Sequence, residues 1–344
     1  MASVAPNVKT NVQKLFQQPT LTTLQTHMLE QERRFPESQG ALSWIISALG
    51  ISAKTIAARL KRARIEDVLG EVGNQNIQGE SQQKLDVIAN EVLCQILRGR
   101  DGVGIIGSEE DEELLFVNTG PLGGPRYAVY FDPLDGSSNL DVGGSVGTIF
   151  SIFRMDNEHD KTLKKGREQV AAGYVLYGTS TIFVLTTGSG VHMFVLDPAV
   201  GAFILVEENL RIPDFGEIYS VNEANADSFP QGYRDYLAQC RVEGFSGRYS
   251  GAMVADVHRV LLKGGIFLYP PTEKSPNGKL RLMYEANPMA MIVREAGGAV
   301  STGTESIVDV EQTELHQRTP VILGSQDNVA DLLGCLNGAP TFAA

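Results

Sequence analysis

Tyr127-Ala-Val-Tyr-Phe-Asp132-Pro-Leu-Asp135-Gly-Ser-Ser-Asn139 is an apolar run that ends in two carboxylates and a cluster of backbone donors. Tyr127, Val129 and Phe131 alternate with their neighbours as a buried strand does, and Asp132 falls where that strand is expected to leave the sheet. Pro133 fixes a turn and Asp135 returns near Asp132, so two hard oxygen donors are placed to share one divalent cation. Gly136 lets a phosphate approach the amides of Ser137, Ser138 and Asn139. The stretch reads as a metal site beside a phosphate seat, and the rest of the chain must supply further ligands and a substrate pocket.

A second acidic strand end supports that reading. Residues 103–107 form a short apolar strand that delivers Ser108-Glu109-Glu110-Asp111. Either acidic segment alone reads as a surface turn or a solvated pair. Four carboxylates at adjacent strand ends repel one another by several kcal/mol unless cations lie between them, so a divalent site accounts for both segments together. Glu285, just ahead of Asn287-Pro288, adds a fifth oxygen donor.

Around these segments the pattern alternates helices and strands. Residues 1–19 read as a partly ordered arm, 20–34 as a helix stopped by Phe35-Pro36, and Leu42, Ile45, Ile46, Leu49, Ala53, Ile56 and Leu60 as the stripe of a stronger helix. Residues 70–81 are polar and glycine-containing and read as a mobile loop. A helix over 84–98 is closed by Gly99. Strand-like runs follow at 147–154, 170–176, 181–187, 191–196 and 202–206, with a charged surface loop over 155–169. A join is expected over 209–216. Helices are then expected at 232–240 and 251–262, a strand at 265–269, and a helix with Asn287 as N-cap and Pro288 in its first position. The fold class is α/β, with sheets and helices in alternating layers and two domains, 1–208 and 209–344.

Composition narrows the function. A net charge of −12 argues against nucleic-acid and acidic-membrane partners. No segment holds about 18 consecutive apolar residues, and the amino terminus lacks a leader pattern, so the expectation is a cytoplasmic protein without a membrane partner. Cys94, Cys240 and Cys335 are too few and too scattered for a disulfide framework or a zinc knuckle and are expected to be buried, reduced thiols. Gly102-Val-Gly104-Ile-Ile-Gly107 matches a dinucleotide fingerprint, but it follows a helix and is itself a strand. Gly143-Gly-Ser145-Val-Gly147 matches a nucleophile elbow, yet a strand follows it. His258 is expected to be structural.

The motifs Ser108-Glu109-Glu110, Asp132-Pro-Leu-Asp-Gly-Ser-Ser138, Ala171-Ala-Gly-Tyr-Val-Leu-Tyr177, Leu196-Asp-Pro198, Met253-Val-Ala-Asp-Val-His258 and Lys274-Ser-Pro-Asn-Gly-Lys279-Leu-Arg281 resemble class I fructose-1,6-bisphosphatase, over residues 20–330. The resemblance implies a layered sugar-phosphatase or inositol-monophosphatase-like fold and a homotetramer. It also implies two to three Mg2+ ions per subunit, with Mn2+ as a possible substitute. The metal ligands it implies are Glu109, Glu110, Asp132, the Leu134 carbonyl, Asp135 and Glu285. Glu80, Asp86 and Glu110 are the implied catalytic acids, which complete the site and help activate water. The 1-phosphate would lie on Gly136, Ser137 and Ser138 near Arg281. Asn222, Arg248, Tyr249, Tyr269 and Lys279 would hold the sugar and its 6-phosphate, with Arg248 reaching in from a neighbouring subunit.

The implied reaction is Mg2+-dependent hydrolysis of the 1-phosphate of fructose 1,6-bisphosphate, in gluconeogenesis or in carbon fixation by the Calvin cycle. The alternatives are sedoheptulose-1,7-bisphosphatase activity, alone or in addition, and a non-catalytic sugar-phosphate sensor. Asn225 stands where animal enzymes carry a tyrosine near the 6-phosphate. Of the family's AMP site, Arg126, Tyr127 and Arg154 match and Leu42 and Ser43 are compatible, while Gln39 and Ala41 replace polar contacts, so AMP inhibition is expected to be weakened. The 155–169 loop has no cysteine, so no thiol switch is expected there.

Overall fold

A computed structural model of the chain describes residues 21–34, 40–75, 81–117, 124–156 and 163–338. The helices in chain order are α1 (Leu24–Arg34), α2 (Ala41–Arg62), α3 (Lys84–Arg98), α4 (Gln231–Val242), α5 (Met253–Lys263), α6 (Asn287–Glu295) and α7 (Gln326–Leu336). One sheet contains β1 (Val103–Ser108), β2 (Leu115–Phe116), β3 (Tyr127–Asp135), β4 (Val146–Arg154), β5 (Gln169–Tyr177), β6 (Thr181–Thr186), β7 (Val191–Asp197) and β8 (Ala202–Glu207). Its order is β8-β7-β6-β5-β4-β3-β1-β2. Every neighbouring pair is antiparallel except β1 and β3, which run parallel, so the carboxyl ends of these two strands open at the same rim.

The second sheet contains β9 (Ile218–Ser220), β10 (Ser246–Gly247), β11 (Ile266–Tyr269), β12 (Ala299–Ser301) and β13 (Val321–Gly324), in the order β10-β9-β11-β13-β12. Here β10, β9 and β11 are parallel, and they too end at one rim.

The layering follows from two-residue side-chain alternation. Val129, Phe131, Phe150 and Ile152 face α1, α2 and α3. Ile149, Ala172 and Tyr174 face the opposite way and share a core with α5, α6 and Phe267 and Leu323 of the second sheet. Tyr219, Leu268 and Ile322, on the outer face of that sheet, pack under α4 and α7. The result is the alternating five-layer arrangement that the sequence implies. By length and composition α2 could cross a membrane, but 56% of its most apolar window is buried in this core.

Four elements differ from the sequence expectation. Asp132 does not end its strand: β3 continues to Asp135, pairing Asp132 with Ile149 and Asp135 with Gly147 across a register shift. The irregularity absorbs Pro133 at a bulge. Residues 71–75 and 81–83 pair as a two-stranded antiparallel ribbon where a loop was expected. Helix α1 begins at Leu24, because Thr23 instead bridges to Ile204. Asn287 is not an N-cap: it is already helical, preceded by a π-turn over Leu282–Ala286 whose last bond runs from the Asn287 amide to the Leu282 carbonyl. The expected arm over 1–19, Phe35-Pro36 and part of the 155–169 loop lie outside the described residues.

Candidate active site

The rim where β1 and β3 end collects the acids. The β3 bulge turns both Asp132 and Asp135 inward, and the π-turn brings Glu285 to meet them. One carboxylate oxygen from each of the three lies within 4.8 Å of the others, and all three side chains are buried. Bulges and π-turns recur where a regular strand or helix would aim a side chain elsewhere.

Each carboxylate is held from the backbone. The Leu134 amide donates to Asp132 at 2.9 Å. The Arg281 amide donates to Glu285 at 2.6 Å. The Met253 and Val254 amides donate to Asp135 at 3.3 and 2.7 Å, so Asp135 caps α5 across 118 residues of chain. A carboxylate at a helix amino terminus is favoured by the exposed amides and the helix dipole. Gly136 follows at φ 76°, and a Cβ there would lie 2.4 Å from the Ala252 side chain, so only glycine lets β3 approach α5 this closely. A 3-10 turn over Ser137–Val142 follows. In it the Asn139 amide donates to the Gly136 carbonyl, leaving the Ser137 and Ser138 amides to open the turn.

Beside the three acids, Arg281 donates to Glu109 at 2.8 Å and lies 3.9 Å from Glu285. Both members of the Arg281–Glu109 pair are buried, so the guanidinium partly balances the acids from within. Asp86, in the first turn of α3, accepts from the Gln83 amide at 2.9 Å and faces Glu110 and Ser137.

The electrostatics of the cluster favour added positive charge. Burial first, then Glu109, Asp135 and Glu285, raises the Asp132 carboxyl far above its ordinary range. Burial pushes Asp135 up to about 7, against the pull of the Val254 amide, and Asp86 is likewise pushed to about 7. Asp132 and Asp135 are thus held toward their protonated forms, and positive charge added among the acids would favour the ionised ones. An all-oxygen, all-carboxylate donor set fits a hard divalent cation such as Mg2+ or Mn2+.

Of the residues expected to hold the sugar and its 6-phosphate, Asn222, Arg248, Tyr249 and Tyr269 lie at the second rim. Asn222 follows β9 and caps a short 3-10 turn, accepting from the Ala224 amide. Arg248 and Tyr249 follow β10, and Tyr249 faces Asp256 and Asp135. Tyr269 ends β11, half-buried, and exposed Lys279 precedes Arg281. Ends of parallel strands are where α/β sheets commonly bind ligands. On the far side of the large sheet, Tyr127 and Arg154 are cross-strand partners, Arg126 enters the same strand and Ser43 is buried on α2. Glu80 lies outside the described residues.

Comparison with known proteins decides the family. Residues 22–208 match the family model Fructose-1-6-bisphosphatase, N-terminal domain, and residues 212–337 match the corresponding C-terminal domain. The chain belongs to the fructose-1,6-bisphosphatase family. It is 46% identical over 321 residues to a class 1 fructose-1,6-bisphosphatase of Chlorobium chlorochromatii, covering 90% of this chain and 96% of that one. The identity is 47% over 315 residues with a class 1 enzyme of Sulfurihydrogenibium, covering 91% and 97%. The crystal structure of Leishmania major fructose-1,6-bisphosphatase in holo form superposes with a TM-score of 0.87 at 39% identity, covering 93% of this chain and 100% of that one.

Within this family fold, several supporting residues escaped the sequence reading. Thr148 donates to the Pro133 carbonyl and pairs with Tyr177, both at 2.9 Å, which fastens the bulge from beneath. Asp256 accepts from the Ser250 amide at 3.0 Å and shapes the segment leading into α5. Neither contact has a local signature, since a threonine within a strand and an aspartate in a first helical turn are ordinary residues. His258 is structural as expected, bonded to Tyr174 at 2.8 Å. The three cysteines are free and buried.

Proposed function

We infer that the chain hydrolyses the 1-phosphate of fructose 1,6-bisphosphate to give fructose 6-phosphate and inorganic phosphate. The single observation that carries this is the buried meeting of Asp132, Asp135 and Glu285 within 4.8 Å, in a chain of this family. Glu109, Glu110, Asp132, the Leu134 carbonyl, Asp135 and Glu285 would hold two to three divalent cations, Mg2+ in the first place. Bound cations supply neutralisation of the phosphate and a lowered pKa for the attacking water.

The chain's own residues do the rest. The Ser137 and Ser138 amides, with Gly136 giving access, receive the 1-phosphate oxygens. Asp86, with Glu80, accepts the proton of the attacking water, a role suited to a carboxyl that burial lifts to about 7. Arg281 steadies Glu109 and Glu285, so its part is to hold ligands in place beside the reacting phosphate. Asn222, Tyr249, Tyr269 and Lys279, with Arg248 of a neighbouring copy, grip the sugar and the 6-phosphate. That remote grip favours bisphosphates over monophosphates. The active form is a homotetramer in the cytoplasm, built from units 1–208 and 209–344. It serves gluconeogenesis or the Calvin cycle.

The test is one kinetic panel measuring phosphate release from fructose 1,6-bisphosphate, sedoheptulose 1,7-bisphosphate and fructose 1-phosphate, with Mg2+ or a chelator, and with AMP. Fast, chelator-sensitive turnover of the first sugar is expected, with AMP inhibiting only above the micromolar range. No Mg2+-dependent turnover of any bisphosphate overturns the reading and leaves a sugar-phosphate sensor. Preference for the seven-carbon sugar replaces the substrate.

A further inference from the structure

The acids of the site come from two distant parts of the chain, and something must keep those parts in register. Glu109 and Glu110 ride on the turn after β1. Its inner side is anchored by the Glu109 amide on the Phe131 carbonyl at 3.0 Å and by Asn90 on Asp111 at 2.9 Å. Its outer side, at Asp111 and Glu112, lies against the ring of His316, whose Nδ1 is the ring nitrogen that meets the backbone there.

His316 sits in a loop with its own bracing. Gln317 donates to the Glu311 carbonyl at 2.9 Å and accepts from the Thr313 amide at 2.7 Å, and Gln312 donates to the Glu314 carbonyl at 2.5 Å. The loop is also tied to the π-turn. The Leu282 amide donates to the Gln317 carbonyl at 2.7 Å, and Arg318 pairs with Arg281 in a short antiparallel ribbon. The His316 ring lies 5.4 Å from the Tyr284 ring, next to Glu285. Leu114, beyond the acidic turn, and Leu315, beside His316, pack on the same Tyr130–Tyr284 cluster. One imidazole thus spans from the turn bearing Glu109 to the turn bearing Glu285, outside the acid cluster itself.

We propose that His316 is a positioning residue that clamps the Glu109–Glu110 turn onto the Glu285 turn and so sets the affinity of the site for its divalent cations. The proposal rests on the metal-site reading above. Arg281 also links the two turns, but through charges that a bound cation would rebalance. His316 links them through backbone and ring contacts that cation binding leaves in place. A ligand shell whose support is lost binds metal about tenfold to 100-fold less tightly, and a support one step further out is expected to matter less.

Three variants test this, with Mn2+ binding to the full chain measured by calorimetry without substrate, alongside half-saturating Mg2+ and KM in the phosphate-release assay. H316A and H316F should each weaken Mn2+ binding and raise half-saturating Mg2+ about fivefold, leaving KM for the sugar bisphosphate within about twofold. H316N, whose amide can take over a ring nitrogen's backbone contact, should recover most of the affinity. H316F keeps the ring contact with Tyr284, so it carries the test if H316A does not fold. Unchanged Mn2+ affinity in H316F overturns the proposal, whatever its melting temperature. Asp135→Asn separates the two readings. If it binds Mn2+ as tightly as the parent, the metal-site reading fails; if it loses Mn2+ while H316F does not, only the clamp fails.

Discussion

Asp132 and Asp135 reach the active site on a strand paired with β1 as far as Phe131 and with β4 on to Asp135, whereas Glu285 reaches it on a π-turn tied down by one side chain, one short ribbon and a neighbouring loop. The first pair is positioned by sheet register, which cannot slip without turning β3 inside out. The second is positioned by contacts that single substitutions remove. Chemistry in this molecule therefore depends on the strand acids, and the assembly of the site on the turn.

The comparison can be broken first at Asp135. Asp135→Asn keeps an oxygen for the Val254 amide, loses the acceptor of the weaker Met253 contact and removes the charge. Turnover should fall about 10³-fold or more, with little loss of melting temperature in metal-free buffer, because the buried repulsion that is relieved offsets the lost Met253 contact. A melting temperature lowered as much as the activity would mean that the residue is structural.

Arg281→Ala probes the turn. It strands the buried Glu109 carboxylate, and the expected loss is about 3 kcal/mol of unfolding free energy from urea titration. Saturating Mg2+ should return part of that loss. Equal denaturation midpoints for parent and variant would show that Glu109 is balanced from elsewhere.

The smallest effect concerns a buried group away from both. Burial lowers the His258 pKa from 6.5 to about 4. The unfolded chain takes up a proton below about 6.5 while the folded chain does not, so this residue's stability is present above 6.5 and lost as pH falls toward 4. At about 1.4 kcal/mol per pH unit the loss is about 2 kcal/mol between pH 6.5 and 5. H258N, still able to meet the Tyr174 hydroxyl, should flatten this acid limb. A urea midpoint that falls equally in both proteins would place the titration elsewhere.

What was legible in the sequence follows the same division. Helix α3 spans the 84–98 segment expected from its apolar stripe, and β4 to β8 each fall within a residue or two of their apolar runs, because local period and burial agree there. The acids at the strand ends were legible because no surface turn explains so many together. Three things were not: the bulge at Pro133, which looks like a strand stop; the π-turn, hidden because Asn287-Pro288 mimics a capped helix start; and the cap of α5, whose acceptor lies 118 residues away. Each depends on a partner distant in sequence, and no local pattern records such a partner.

The π-turn also bears on how this site can change. One residue in a helix is worth about 100° of rotation, so its additional residue sets the direction of everything that precedes α6. Deleting a single position within Leu282–Ala286 would leave a smoother helix with ordinary bonds, joined to the same loop. Glu285 would then point away from its fellow acids. In this segment the more regular backbone is the inactive one, so drift toward local stability and drift toward loss of function run in the same direction.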